Sequence, residues 1–433
     1  MKKKIIVLLF YILIIVFNSN VCADTILYDE YQTDLGLTIK SYAKNWTGHK
    51  LTEVYEELKK NTYGEEIKHL KEINLYEDNP TGGKEEGVYN ASYKIINFFG
   101  NEKIVLSDNN SIDLYNLSDK NNVEELAKTL SHEYGHHFTL FYLIEYENKT
   151  FDQWKDTMLY KYRNLESYEK VTNDYENGHQ WSIIEICAED YVQLYGSLTA
   201  KKVYFFEDIK QRYYSNALND DTSYSYSIFN INPQENTNIP LALQVEGLKE
   251  YWEKASGIIS DTQTYTQPQL ALVDISNLGH DKQQYTLQWG KSINSEGEEA
   301  EFYTLISLNI KEDRIIPIKT VVKGDPLEAT IGSIRINSDS KIMFYTDSFV
   351  NNDNSFVIYS IDKNGSVIAS NILDIDFDNP ALTNLEDKSY FEIQEKDKDI
   401  NIETQNIKIN EGNEFIDEIL DYIFIFIEKI FGD

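Results

Sequence analysis

The sequence predicts a multidomain protein: a mainly helical α+β domain, then an all-β domain, then an amphipathic helix at the carboxyl end. Three observations lead to this prediction. The chain has 433 residues, which is more than one domain usually holds. In the first half, apolar residues recur at helical spacing. After a stretch at 261–268 that is rich in Thr, Gln and Pro, short β-branched and aromatic runs with partial alternation indicate strands instead.

Residues 1–23 have the features of a secretory signal peptide. Residues 1–4 are basic, residues 5–17 are apolar, and residues 21–23 resemble a small-residue cleavage site. The apolar run is shorter than the roughly 20 residues of a membrane span. We therefore expect a secreted or extracellular protein, released or attached to the cell surface, with no membrane span in its mature form. An uncleaved signal anchor is the alternative.

Residues 24–257 are predicted to form the first domain, and its most informative stretch is an H-E-x-x-H pattern. His132 and His136 are four residues apart, so on a helix they share one face and can bind one zinc ion. Glu133 would then reach a water beside that ion. The alternative is a solvated helix face with two ordinary histidines.

The residues around this pattern predict the helix itself. Asn122 can cap its amino terminus, and Glu125 stands at the capping-box position three residues later. Apolar residues then recur at helical spacing up to Tyr134. His137 points about a quarter-turn away from the zinc face, so we expect it to pack or to support the site rather than bind metal.

A third zinc ligand is predicted on a second apolar helix, at 181–191. Glu185 and Glu189 are four residues apart in this segment, and buried carboxylates are costly unless they are paired or bind a metal. Glu185 is the candidate ligand. Glu189, one turn later, could accept a hydrogen bond from the outer nitrogen of His132 or His136. The alternative is an amphipathic helix whose two carboxylates face water.

The combination of H-E-x-x-H with E-x-x-A-E resembles the gluzincin metallopeptidases, and in particular the catalytic domains of anthrax lethal factor and the Pro-Pro endopeptidases. The resemblance covers roughly residues 95–200. It implies a zincin-like domain, peptide-bond hydrolysis and Zn²⁺ as the cofactor. By position it implies the following roles: His132, His136 and Glu185 as metal ligands, Glu133 as the catalytic general base, and Glu189 as the carboxylate behind the ligands.

One position departs from that family pattern. The toxin-like members carry a tyrosine seven residues before the glutamate ligand, where it stabilises the oxyanion. This chain has Gly178 there, with His179 next to it and Tyr175 slightly earlier. We expect His179 to be the catalytic oxyanion donor, with a tyrosine as the alternative.

The predicted function is a secreted zinc-dependent endopeptidase that hydrolyses peptide bonds with a zinc-activated water and Glu133 as general base. Its partner would be a peptide or protein substrate. Residues 103–107 are a candidate strand for substrate addition, with an ordinary core strand as an equal alternative. The competing function is a non-catalytic binding or structural protein of the cell surface, built on a degenerate peptidase scaffold. A structural zinc is disfavoured because only three protein ligands are evident.

The net charge argues against nucleic acid as a partner. The chain carries 72 acidic and 40 basic residues, a formal net charge of −32. Binding to phosphates needs a basic surface, whereas this charge favours cationic substrates or solubility outside the cell.

The second half of the chain is predicted to hold the β domain and the terminal helix. Short β-branched and aromatic runs at 285–289, 302–308, 318–322 and 355–359 read as strands, and a hairpin turn is predicted at 360–366. This pattern resembles a fibronectin type III sandwich over 265–378, which implies an accessory module that binds a surface or a protein partner. Residues 379–433 read as an acidic linker and an amphipathic helix at 415–431.

Overall fold

The computed structural model describes residues 26–98, 101–201, 233–279, 282–309, 314–332 and 354–377. All of them belong to one compact unit, residues 1–387. The predicted signal peptide and terminal helix lie outside the described residues. Within the described ranges, no helix is long and apolar enough to cross a membrane.

Helices and several β-sheets make up the described chain, as the sequence predicts. The α-helices of the described residues are α1 (His49–Lys60), α2 (Ala127–Glu147), α3 (Met158–Tyr162), α4 (Ile183–Tyr195), α5 (Leu198–Lys201) and α6 (Leu248–Ser256). The strands before residue 120 are β1 (Asp29–Gln32), β2 (Thr38–Tyr42), β3 (Leu70–Tyr76), β4 (Gly87–Asn90), β5 (Tyr93–Phe98), β6 (Asn101–Leu106) and β7 (Asn110–Leu114). The later strands are β8 (Leu270–Gly279), β9 (Lys282–Trp289), β10 (Phe302–Asn309), β11 (Arg314–Val322), β12 (Glu328–Gly332), β13 (Asn354–Ile361), β14 (Val367–Ala369) and β15 (Leu373–Ile375).

A five-stranded sheet in the order β1-β2-β3-β7-β4 supports the helices of the first half. The three inner strands are parallel, and β1 and β4 run antiparallel at the two edges. Ile39, Ile73 and Ile112 lie in register across the inner strands and are fully buried. This apolar row packs in the same hydrophobic core as the helices. At one edge of the sheet, β4 faces α2.

The strands β4 to β7 form one long hairpin with a change of register. Asn90 pairs with Ser111, and the next ladder begins where Tyr93 pairs with Leu106. Two residues separate the ladders on the outgoing strand and four on the returning strand, a bulge-type irregularity. The base of this hairpin belongs to the five-stranded sheet, and β5 and β6 extend beyond it as a two-stranded ribbon.

The helix that carries H-E-x-x-H begins later than the sequence suggests. The Asn122 side chain accepts a hydrogen bond from the Glu125 backbone N–H at 3.3 Å, so the predicted cap is present. It caps a single 3₁₀ turn, Val123–Glu125, and α2 starts after it, at Ala127.

The strands predicted in the second half are confirmed and form two antiparallel sheets. One has the order β12-β9-β8, and the other has the order β11-β10-β13-β14, with β15 also paired to β13. The predicted hairpin turn connects β13 to β14. This part packs on the helical part, because Gln244 makes two side-chain hydrogen bonds to the backbone of Ala369. The division into domains at 257 and 265 stays a prediction.

Candidate metal centre

Three side chains from two helices meet at one point. His132 and His136 lie on successive turns of α2, and Glu185 lies on the first turn of α4. The Oε2 atom of Glu185 is 3.0 Å from Nε2 of His132 and 3.4 Å from Nε2 of His136. One ligand atom from each residue lies within 4.8 Å of the others. The structure thus brings together the three ligands that the sequence predicts.

The spacing of these atoms fits a zinc ion. Zinc binds histidine nitrogens and carboxylate oxygens at about 2.0–2.1 Å in tetrahedral geometry, which separates neighbouring ligand atoms by about 3.3 Å. The two measured separations lie close to that value. Glu185 is almost wholly buried, and a buried carboxylate among imidazoles is what a cation site requires. Among the residues that the structure describes, the donor set is two imidazoles and a carboxylate, one ligand short of the four of a closed zinc site.

The candidate ligands shift each other's pKa values. Burial alone would raise the pKa of Glu185, but the imidazoles of His136 and His132 outweigh it and hold that pKa well below its ordinary value. Burial alone would lower the pKa of His132, but the carboxylates of Glu185 and Glu189 outweigh it and raise the pKa. Zinc would replace the proton on the imidazole.

Glu189 occupies the supporting place expected for it. Its Oε1 atom is 3.1 Å from Nδ1 of His132, the nitrogen that faces away from Glu185. Glu189 is buried, and its second oxygen has no hydrogen-bond partner among the described residues. A carboxylate on the outer nitrogen fixes the tautomer of a histidine ligand and makes it a better donor to metal.

Glu133 is buried beside the ligands and under strand β4. A side chain at Gly87 would collide with it, since a Cβ atom there would lie 2.8 Å from Oε1 of Glu133. Burial raises the pKa of Glu133, while His136, His132 and the backbone of Tyr89 partly oppose this. The carboxylate of Glu133 is thus held beside the candidate ligands, where a group that accepts and returns a proton would have to lie.

The strand beside Glu133 is therefore β4, and not residues 103–107. Those residues lie mostly in β6, on the returning side of the ribbon. Its backbone is partly occupied, since the Ile104 N–H donates to Oδ1 of Asn148 at 2.8 Å. Strand β4 pairs only with β7 among the described strands, so its other edge has no partner strand there, and the Tyr89 backbone bonds to Glu133.

His179 lies at the rim of the centre, with a partner that sequence reasoning missed. Its Nε2 atom is 3.4 Å from Oε2 of Glu185, and its Nδ1 atom is 2.6 Å from Oε2 of Glu235. The hydrogen bond to Glu235 raises the pKa of His179. Glu235 is 56 residues away in the sequence and belongs to no motif, so no local signal indicates it.

Tyr175 completes this rim. Its hydroxyl donates to Oε1 of Glu185 at 3.0 Å, and its ring stacks on that of His179 with centroids 5.3 Å apart. Both side chains are more than half exposed. The structure thus brings both candidate oxyanion donors to the same side of the centre.

His137 does not join the ligand group and instead lies in a buried network behind it. Its Nε2 atom is 2.7 Å from the carbonyl oxygen of Glu66, so Nε2 carries the proton. Its Nδ1 atom accepts from the Tyr89 hydroxyl at 2.8 Å. The Glu66 carboxylate accepts hydrogen bonds from the hydroxyls of Tyr134 and Tyr142. Through this network His137 links α2 to β4. It packs behind the candidate metal centre, as the sequence predicts.

The comparisons with known proteins give one match. A family model described as ":-like" matches residues 50–182. That stretch includes His132, Glu133 and His136 and ends before Glu185. No curated protein and no solved structure matches the chain.

Proposed function

We propose that the protein is a zinc-dependent endopeptidase with His132, His136 and Glu185 as the metal ligands. The observation that carries this proposal is the approach of two imidazole nitrogens to one carboxylate oxygen at 3.0 and 3.4 Å, beside the buried carboxylate of Glu133. A purely structural zinc site would be closed by a fourth protein ligand. Among the described residues only these three groups cluster, with Glu133 and the half-exposed His179 beside them.

The architecture supports a more specific fold proposal for each half of the chain. A mixed sheet with an antiparallel edge strand beside the H-E-x-x-H helix supports a zincin-like domain. In the second half, Phe377 packs against Tyr285 of one sheet and Phe356 of the other, with centroids 5.0 and 6.1 Å apart. Two antiparallel sheets around shared aromatic residues support a fibronectin type III-like sandwich.

Zinc bound at this centre would lower the pKa of a water toward neutrality and polarise the scissile carbonyl. Glu133, whose carboxylate is held next to the proposed ligands, would accept a proton from the attacking water and pass it to the leaving amine. His179 and Tyr175 stabilise the oxyanion from the rim, and Glu235 holds the His179 ring in place.

The substrate adds as a strand to the open edge of β4. This edge passes over Glu133, since Gly87 and Tyr89 both contact that side chain. Main-chain hydrogen bonds to an edge strand bind peptides in extended conformation without a deep pocket. We further propose that the protein is secreted or extracellular and that the β-rich part binds a surface or a protein partner.

One experiment separates this proposal from a binding protein on a degenerate scaffold. The full mature chain is loaded with zinc and incubated with a library of random peptides, and the products are sequenced by mass spectrometry. We expect cleavage by the wild type, none with chelator, and a loss of at least about 1,000-fold in Glu133→Gln with zinc retained. Equal products from wild type and Glu133→Gln, or no products from either, would exclude the peptidase and favour the binding protein.

A further inference from the structure

The hairpin from β4 to β7 carries exposed apolar side chains beyond the metal centre. In the outgoing strand, Tyr93, Ile95 and Ile96 have exposed fractions of 40, 60 and 47%. The residues that pair with Tyr93 and Ile95 are Leu106 and Ile104, which are buried. Because paired residues of antiparallel strands point to the same face, Tyr93 and Ile95 lie on the face that packs on the protein. Strand β5 is therefore the exposed strand of the ribbon, and the apolar side chains paired with it in β6 are buried.

From β4 this strand leads away from the metal centre, and its partner β6 is the ribbon strand that contacts α2. At one end Gly87 lies on Glu133, and at the other end Ile104, the partner of Ile95, bonds to Asn148 just after α2. From Tyr89, whose backbone also lies on Glu133, to Ile95 is about 20 Å of strand at 3.3 Å per residue. The ribbon therefore extends from the metal centre toward the carboxyl end of α2, with β6 as the strand that contacts the helix.

The far end of the strand is fixed rather than loose. The Tyr93 hydroxyl donates to Oδ2 of Asp152 at 2.9 Å, and the Asn148 side chain bonds both the N–H of Ile104 and the carbonyl of Glu102. Ile95 is thus held on an anchored ribbon whose β5 edge has no partner strand among the described residues. An exposed isoleucine on an open strand edge is suited to a second extended chain.

We propose that this outgoing strand continues the substrate cleft, and that Tyr93 and Ile95 bind an apolar side chain of an extended peptide substrate. The inference rests on the proposed peptidase function and specifies its substrates. Antiparallel addition, the more stable pairing, places the amino-terminal part of the substrate toward Ile95. At one residue per 3.3 Å, the apolar side chain lies about four to six residues before the scissile bond. The protein is therefore selective for long substrates with an apolar residue at that distance.

The test uses the full mature chain, loaded with zinc, and a library of random 16-residue peptides whose products are sequenced. The variant is Ile95→Ser, and the matched control is Ile372→Ser, an isoleucine with an exposed fraction of 49% in the β-rich part. We expect apolar residues to be enriched about four to six positions before the cleaved bond in wild type and control. Ile95→Ser should erase this enrichment, leave the preference next to the bond unchanged and lower kcat/KM for a selected peptide by about tenfold.

A binding measurement gives a second readout. The selected peptide, labelled with fluorescein, is titrated with zinc-loaded Glu133→Gln protein with and without Ile95→Ser, and we expect about tenfold weaker binding in the double variant. Cleavage without enrichment, enrichment on the carboxyl-terminal side, or enrichment that survives Ile95→Ser would overturn the inference and leave the peptidase standing. A dimer that Ile95→Ser converts to a monomer would assign the strand to self-association instead. If no cleavage is found that depends on Glu133, the proposed peptidase function itself is wrong.

Discussion

Gly135 of α2 lies directly against the backbone of Ala188 in α4. A Cβ atom at Gly135 would be 2.8 Å from the carbonyl oxygen of Ala188 and 3.0 Å from its Cα atom. Gly135 occupies the position just before His136, and Ala188 follows Glu185 by three residues. The absence of a side chain at one residue therefore lets the two helices approach until their ligands meet.

We expect Gly135→Ala to separate the ligands. Alanine favours the helix by about 1 kcal/mol over glycine, but the forced contact costs about 1–3 kcal/mol and moves His136 away from Glu185. The variant should bind zinc at least about tenfold more weakly, as measured by competition with a chelator. Gly290→Ala is the control, since a Cβ atom there would have 3.9 Å to its nearest neighbour. If both variants bind zinc equally well, close helix packing does not build the site.

Gly87→Ala should affect activity without affecting metal. A Cβ atom there would lie 2.8 Å from both Cγ and Oε1 of Glu133, so the Glu133 side chain or the edge strand must move. We expect zinc content and melting temperature close to wild type, and a fall in kcat/KM of about 10- to 100-fold. A loss of zinc in this variant would instead mean that β4 holds the ligands in place.

Sequence reasoning succeeds here where the chemistry is local and fails where it is tertiary. The spacing of His132 and His136 places them on one face of any helix. Glu185 stands out because a carboxylate in an apolar helix is costly unless it is paired or binds a metal. Glu235 cannot be found this way, because only the fold brings it to His179. Strand β4 cannot be found this way either, because only the sheet order shows that it, and not residues 103–107, lies beside Glu133.

The rim residues predict graded effects on catalysis. His179→Ala should lower kcat by about 100-fold or more with little change in KM, because the oxyanion donor acts in the transition state. Glu235→Gln keeps a hydrogen-bonding side chain on Nδ1 but removes the charge, and should cost less than His179→Ala. Initial rates of peptide cleavage at several substrate concentrations measure both. If Tyr175→Phe shows the large kcat effect and His179→Ala does not, the tyrosine is the donor.

The two carboxylates of α4 should differ in their effect on metal. Glu185→Ala removes a proposed ligand, so we expect the zinc-loaded variant to lose the metal on dialysis. Glu189→Ala removes only the partner of His132 Nδ1 and should weaken zinc binding by about 10- to 100-fold. Zinc content by mass spectrometry and competition with a chelator distinguish the two, with the exposed Glu176→Ala as control. Zinc retained by Glu185→Ala and lost by Glu189→Ala would move the ligand by one turn.

The buried histidine behind the centre should make the fold sensitive to acid. Burial lowers the pKa of His137 from 6.5 to about 4, so above pH 6.5 it is neutral in both the folded and the unfolded chain. Between pH 6.5 and 4 the unfolded chain takes up a proton that the folded chain does not, and folding stability falls by about 3 kcal/mol over that range. His137→Gln does not titrate and escapes this loss.

We therefore expect the stability advantage of the wild type over His137→Gln to shrink as the pH falls from 7 to 4. Urea unfolding of the full mature chain in chelator measures this difference, since titration of the metal ligands is common to both proteins. A difference that stays constant with pH would mean that His137 is protonated in the folded protein, and that its hydrogen bonds to Glu66 and Tyr89 rearrange in acid.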